Sequence, residues 1–101
     1  MKELWEILVP TEIDGKPCRT RYHRVWDAKV RAITGGLTIL RPAIGQWVHD
    51  NKLYKERVIP VRIACSTEQI HQIIDITIAY YKQIAVMAYR VSDNVIIKYR
   101  K

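Results

Sequence analysis

Within the thirteen positions from Gly45 to Arg57, the chain places Gly45, Gln46, Trp47, His49, Asp50, Tyr54, Glu56 and Arg57. An aromatic face beside a carboxylate can hold a cation, because the ring quadrupole and the negative charge both favour one. Arg57 and Gln46 add hydrogen-bond donors, and His49 and Tyr54 add groups that can exchange a proton. On residue types alone the commoner fates are structural. Trp47 would be a core or interface anchor, and Glu56 with Arg57 a surface pair worth little. Two strand-like apolar runs, Leu37 to Leu40 and Val58 to Ala64, flank this stretch, with Asp50-Asn51-Lys52 as the turn between them. The chemistry is therefore expected on a hairpin.

Other sites are weaker. His23, His49 and His71 fall on separate elements and neither cysteine belongs to a CxxC pair, so no metal site is expected. His71 falls on the polar side of a helix, where it is solvated. Cys65 stands at a strand end before a helix, where a packing role explains it better than nucleophilic catalysis. No phosphate-loop or dinucleotide glycine pattern is present, and Gly35-Gly36 is an ordinary helix stop. Recognition of RNA on a sheet needs exposed aromatics on its central strands. Here that strand reads VIPVRIAC, and the chain contains no Phe, which speaks against nucleic acid as the partner.

At 101 residues, 49% hydrophobic and 27% charged, the chain reads as a single domain, 1–101, with one core. There is no apolar run near ~20 residues, so no membrane span is expected. MKELWEILVP carries Glu3 and Glu6, lacks a basic start, and reads as a first strand rather than a signal peptide. Two cysteines make no disulfide framework, and the expected compartment is cytoplasmic. The net charge of +7 is spread in three groups: Arg19 to Arg31, Lys52 to Arg62, and Lys98 to Lys101. Interspersed acids make solvated faces its commonest meaning, with a phosphorylated small molecule among the alternatives.

The elements that must position the hairpin follow from periodicity. Leu4 to Val9 alternates as a strand, ended by Pro10 and the turn Asp14-Gly15-Lys16-Pro17. Tyr22, Val25, Trp26, Lys29, Val30 and Ile33 form a helical stripe, with Thr20 as N-cap and Gly35 as the stop. Pro42 is expected to interrupt the first hairpin strand, and Pro60 to disturb the second. Ser66 with Gln69 makes a capping box, and Cys65 with Ile70 a hydrophobic staple. The helix they open runs through Ile70, Ile73, Ile74, Thr77, Ile78 and Tyr81. A last strand is expected from Ala85 to Val91, extended by Val95 to Tyr99. Strand, helix, strand, strand, helix, strand is the ferredoxin-like α+β arrangement, βαββαβ. Leu8, Tyr54, Pro60, Ala64 and Ala88 are expected to leave its open sheet face apolar, which favours a homo-oligomer.

Gly45-Gln46-Trp47, the later Glu56, and Val61-Arg62-Ile63-Ala64-Cys65 together resemble the phage-encoded S-adenosylmethionine lyases, formerly called hydrolases. The likeness continues through Tyr80-Tyr81-Lys82-Gln83 and Ala85 to Tyr89, about the last two thirds of the chain. Gly36 to Trp47 also resembles an uncharacterised family of small bacterial domains with a GLTVL…GQW motif. The lyase resemblance implies a trimer of ferredoxin-like subunits with the site between neighbours. It implies a reaction without cofactor or metal, in which the substrate's own carboxylate attacks its γ-carbon to give methylthioadenosine and homoserine lactone. Glu56 takes the place of the lyase glutamate as a catalytic residue. Trp47 stands where the lyases have tyrosine and brings no hydroxyl, which Tyr54 then supplies. Gly45, Gln46, Trp47, Arg57 and Arg62 are the implied substrate-binding residues. The excess positive charge points to a phosphate-bearing ligand, such as an adenylated derivative of S-adenosylmethionine. The alternative is a non-catalytic oligomeric binding module for a nucleotide-type small molecule.

Overall fold

The computed structural model describes residues 2–101. Period-two alternation builds strand β1 (Glu3–Pro10), which turns Ile7 and Val9 into the core. A small hairpin of β2 (Glu12–Ile13) and β3 (Lys16–Pro17) follows. It reverses through Asp14 and Gly15, both at positive φ, the geometry an Asp-Gly pair adopts most readily. Helix α1 (Thr20–Thr34) buries Trp26 and Val30, and Gly35 ends it in the left-handed region at φ 87°. Thr20 is the first helical residue and not the N-cap. Arg19 takes that position and offers no side-chain hydrogen bond. The chain entry is set upstream, where the Cys18 N–H donates to the Thr11 carbonyl at 2.8 Å. Val25 also leaves the expected stripe and is 44% exposed.

Pro42 does break the next strand. β4 (Thr38–Ile39) and β5 (Ala43–His49) pair separately with the long β6 (Lys52–Cys65). Ile39 opposes Val61 and Ala43 opposes Val58, so Leu40, Arg41 and Pro42 face only Ile59 and Pro60. That is one extra residue, a bulge. The Pro60 carbonyl accepts from the Leu40 N–H at 2.9 Å, so the N–H that proline lacks would have faced the same gap. Towards β1 the ladder runs unbroken from Glu3–Cys65 to Pro10–Val58, and the disturbance expected at Pro60 is confined to one side. Asp50 and Asn51, at φ 51° and 61°, close the hairpin as a tight two-residue turn.

Helix α2 (Thr67–Tyr81) opens with the full capping box: Gln69 N–H to Ser66 Oγ at 3.1 Å, Ser66 N–H to Gln69 Oε1 at 3.0 Å. Buried Cys65 and Ile70 flank it as the staple requires. Thr77 is fully buried yet satisfied, accepting from Trp26 Nε1 at 2.9 Å and donating to the Ile73 carbonyl at 2.6 Å. β7 (Ala88–Ser92) starts later than Ala85, and the extension expected over 95–99 forms no strand. Ser92 and Asn94 bond each other locally, which turns the chain off the ladder and leaves Ile96, Ile97 and Tyr99 exposed.

The sheet runs β4/β5–β6–β1–β7, antiparallel throughout, with the core and both helices on one face. This is the ferredoxin-like arrangement. Its open face is not simply apolar. Ala88 opposes Ile7 and packs towards the core, so it does not belong to that face. At the centre stands Glu6, 6% exposed. It accepts from Arg62 Nε at 2.9 Å on one neighbouring strand and from the Tyr89 hydroxyl on the other.

Candidate functional site

Beyond Val58 the two strands of the β5–β6 hairpin continue with no third strand beside them among the described residues. Register decides what they present. Gly45 opposes Glu56 and Trp47 opposes Tyr54, and directly opposed residues share a face. The chain after α2 returns past this face, where Lys82 takes the left-handed C-cap conformation at φ 54° and redirects residues 83–87. Between this segment and the hairpin lies a groove of about 180 Å³ that includes Gly45, Gln46, Trp47 and Glu56. It adjoins a wider concavity of about 520 Å³, shared by Trp47, Tyr54, Glu56 and Lys82.

Glu56 is half-buried in this groove, and its carboxylate makes no hydrogen bond or ion pair among the described residues. Burial, and secondly the Glu12 carboxylate, push its pKa above the ordinary value. Trp47 and Tyr54 meet edge to face with ring centroids 6.2 Å apart, and each is about two-fifths exposed. Lys52 Nζ lies 5.2 Å from the Tyr54 ring centroid, so one cation of the chain already rests on this aromatic surface. A Cβ at Gly45 would lie 3.7 Å from the Glu56 carbonyl oxygen and 4.0 Å from its Cγ, so a small side chain there would make only ordinary contact with Glu56. The arrangement can attract a cation with apolar or aromatic surface around it.

The structure thus brings together Gly45, Trp47, Tyr54 and Glu56. Gln46 meets the groove between Gly45 and Trp47, but it opposes Lys55 and alternation turns its side chain to the far face, and Arg57 and Arg62 lie elsewhere. Arg57 opposes Ile44, and strand alternation sends its side chain to the face opposite Glu56. Arg62 lies six positions along β6, roughly 20 Å away at strand rise, and is engaged by Glu6. Among the described residues lining the groove and its extension, Lys82 is the one lysine or arginine. The positive charge of the chain is therefore not gathered at this groove, which removes the motive for a phosphate-bearing ligand there.

Sequence reasoning missed Lys82, Gln83 and Ala85 on the opposing wall. They follow a helix whose end was legible, but where the chain goes next depends on the cap. It also missed the Glu6–Arg62–Tyr89 trio, for which a charged residue mid-strand between Leu4 and Leu8 was the available signal. The hydrogen bond from Tyr89, and then that from Arg62, hold the Glu6 carboxyl below its ordinary value against the opposing effect of burial. His49 pairs with Asp50 at 3.4 Å on the exposed turn. Cys18 and Cys65 are both free thiols, and burial pushes Cys65 up to about 11. No three His, Cys, Asp or Glu side chains gather as a metal site among the described residues. No helix among them is long and apolar enough to cross a membrane.

No protein-family model matches the chain, and no curated protein matches it in sequence. Solved structures do resemble it. The periplasmic divalent cation tolerance protein CutA of Archaeoglobus fulgidus superposes with a TM-score of 0.69 at 10% identity, covering 97% of this chain and 89% of that one. The divalent cation tolerance protein CutA1 of Thermus thermophilus gives 0.66 at 10% identity, covering 94% and 88%. A phage S-adenosylmethionine lyase in complex with S-methyl-5′-thioadenosine gives 0.66 at 16% identity, covering 91% and 81%. At such identities the likeness establishes a common fold.

Proposed function

We propose that the groove binds a sulfonium nucleoside of the S-adenosylmethionine type and cleaves it. The observation that carries this reading is Glu56, a half-buried carboxylate without a partner, set beside the Trp47–Tyr54 aromatic pair. A cationic ligand would supply the missing charge partner and draw the Glu56 pKa back down. Trp47 would offer its face to the sulfonium or the adenine, and Tyr54 a hydroxyl. Gly45 and the backbone of Gln46 would shape the floor. The phage lyase fold supports the reading, since that protein holds a thioadenosine.

The reaction asks little of the protein. The substrate's carboxylate oxygen attacks its own γ-carbon as the bond from that carbon to sulfur breaks. The electron pair stays on sulfur, giving neutral methylthioadenosine and homoserine lactone, and no external proton or water is consumed. Catalysis then rests on holding the attack conformer and on electrostatic fit. In this reading the exposed arm of the hairpin is covered by neighbouring copies in a homo-oligomer, a trimer. The site lies between them, in the cytoplasm, where free thiols persist.

Incubation with S-adenosylmethionine followed by mass spectrometry is expected to show methylthioadenosine and homoserine lactone in equal amounts. Glu56→Gln is expected to abolish them without lowering the melting temperature. A ligand-dependent rise in melting temperature with no product would overturn the lyase and leave the binding module. Neither product nor binding would end both readings.

A further inference from the structure

A second concavity, of about 480 Å³, lies on the far side of the fold where the β2–β3 hairpin meets the start of α1. It is open to solvent, a shallow hollow rather than an enclosed cleft. Its rim carries Lys16, Arg19 and Arg21, all exposed and none paired with a carboxylate among the described residues. No aspartate or glutamate lines it, and none stands in the first turn of α1. The hairpin's own acids, Glu12 and Asp14, lie outside the lining. Three cations line one hollow, and the Glu12 carboxylate, close enough to act on Cys18, lies outside the lining.

The floor has the opposite character. Ile13, Val25 and the Tyr22 ring line it, and Val25 is left 44% exposed there. Tyr22 stacks on Tyr80 with ring centroids 4.1 Å apart. The two rings lock each other: the Tyr22 hydroxyl donates to the Tyr80 carbonyl, and the Tyr80 hydroxyl to the Tyr22 carbonyl at 2.8 Å. Lys29 Nζ lies over the Tyr80 ring, 4.8 Å from its centroid, so with both hydroxyls committed it is the Tyr22 ring that lends the hollow a fixed aromatic surface. Such a platform loses almost no side-chain entropy when something stacks on it. Cys18 shares the lining, but burial and then Glu12 raise its thiol pKa, so it adds apolar sulfur and no nucleophile.

We infer that this concavity binds a nucleoside phosphate, its base or sugar against Tyr22 and Val25 and its phosphates between Lys16, Arg19 and Arg21. Arginine suits the phosphate end because its planar fork meets two oxygens at once. The site is separate from the hairpin groove, where a carboxylate and aromatic rings favour a cation. The two hollows therefore sort ligands by charge, with three of the chain's basic residues gathered at this one.

The test is titration of the full chain with adenosine 5′-diphosphate, with adenosine and with inorganic phosphate, followed by amide NMR shifts. The diphosphate is expected to bind most tightly, moving Lys16, Arg19, Arg21, Tyr22 and Val25 and not Trp47 or Glu56. Arg19→Gln and Arg21→Gln are each expected to weaken it roughly tenfold, the loss of one charge-assisted contact, with unchanged melting curves because both residues are exposed. Val25→Ser, which removes apolar floor without adding charge, is expected to weaken the diphosphate and adenosine but not phosphate. Absence of diphosphate binding, shifts confined to the hairpin groove, or equal affinity for inorganic phosphate would each overturn the inference. So would displacement of the diphosphate by a single-stranded oligonucleotide that binds far more tightly, which would give the surface to nucleic acid.

Discussion

From Val58 to Cys65, strand β6 lies between β1 and the β4/β5 side and buries Val58, Pro60, Val61, Ile63 and Cys65. From Lys52 to Arg57 the same strand pairs only with β5, and nearly every residue is exposed. The first region is held by packing. The second is held by a cross-strand ladder and a two-residue turn, an arrangement marginal on its own in water. Yet this arm carries Ile44, Val48 and Leu53 at more than half exposure and stretches the molecule to 52 Å. Order without burial is costly in conformational entropy, so the arm teaches where cover by another copy is to be sought.

The contrast breaks most sharply at the packed end. Trp26→Ala removes a fully buried ring and takes one donor from the Thr77 oxygen, and is expected to cost about 3–5 kcal/mol in denaturant unfolding. Next come the two carboxylates of the open face, which should respond to acid in opposite directions. The folded pKa of Glu6 is depressed, so its contribution is present above the ordinary value of 4.5 and is lost as pH falls through the folded value. Glu56 is raised, so its ionised form opposes folding above its folded pKa, and acid relieves that cost. Glu6→Gln is expected to cost about 1–3 kcal/mol at neutral pH, because it weakens two charge-assisted bonds, and to flatten the acid limb of a stability–pH curve. Glu56→Gln should leave neutral stability unchanged or slightly higher. A shared sign for the two would undo the distinction.

Ser66→Ala tests the packed end through a local feature and is expected to cost about 1 kcal/mol by thermal unfolding, since it removes the acceptor of the Gln69 N–H. The smallest effect belongs to the arm. Val48→Ser with Leu53→Ser should change the stability of the monomer by less than about 0.5 kcal/mol, while sedimentation reports weaker self-association. Equal self-association in the variant would mean that the arm is not an interface.

Much of this was readable from local chemistry. The helix stop at Gly35, the turn at Asp50-Asn51, the break at Pro42 and the capping box at Ser66 depend on residues within a few positions of one another. So does the hairpin's alternation, by which residues two apart, such as Tyr54 and Glu56, share a face. The extension over 95–99 was misjudged because β-branched residues give the same signal whether or not a ladder receives them. Arg57 and Arg62 belong to the site only as the lyase resemblance implies it, and a pleated strand turns the first away from Glu56 and carries the second out of reach.

The sequence by itself determined the order of elements and the residues of the hairpin, since caps, turns and periodicity act over short range. Only the tertiary structure decided that Glu56 meets the segment after α2 and that Glu6 is buried between Arg62 and Tyr89. It likewise decided that the cations of the α1 start gather around another hollow. Each of these joins residues far apart in the chain. No local preference encodes such a meeting, because burial of the shared core brings the elements together and sheet register then selects which side chains face each other.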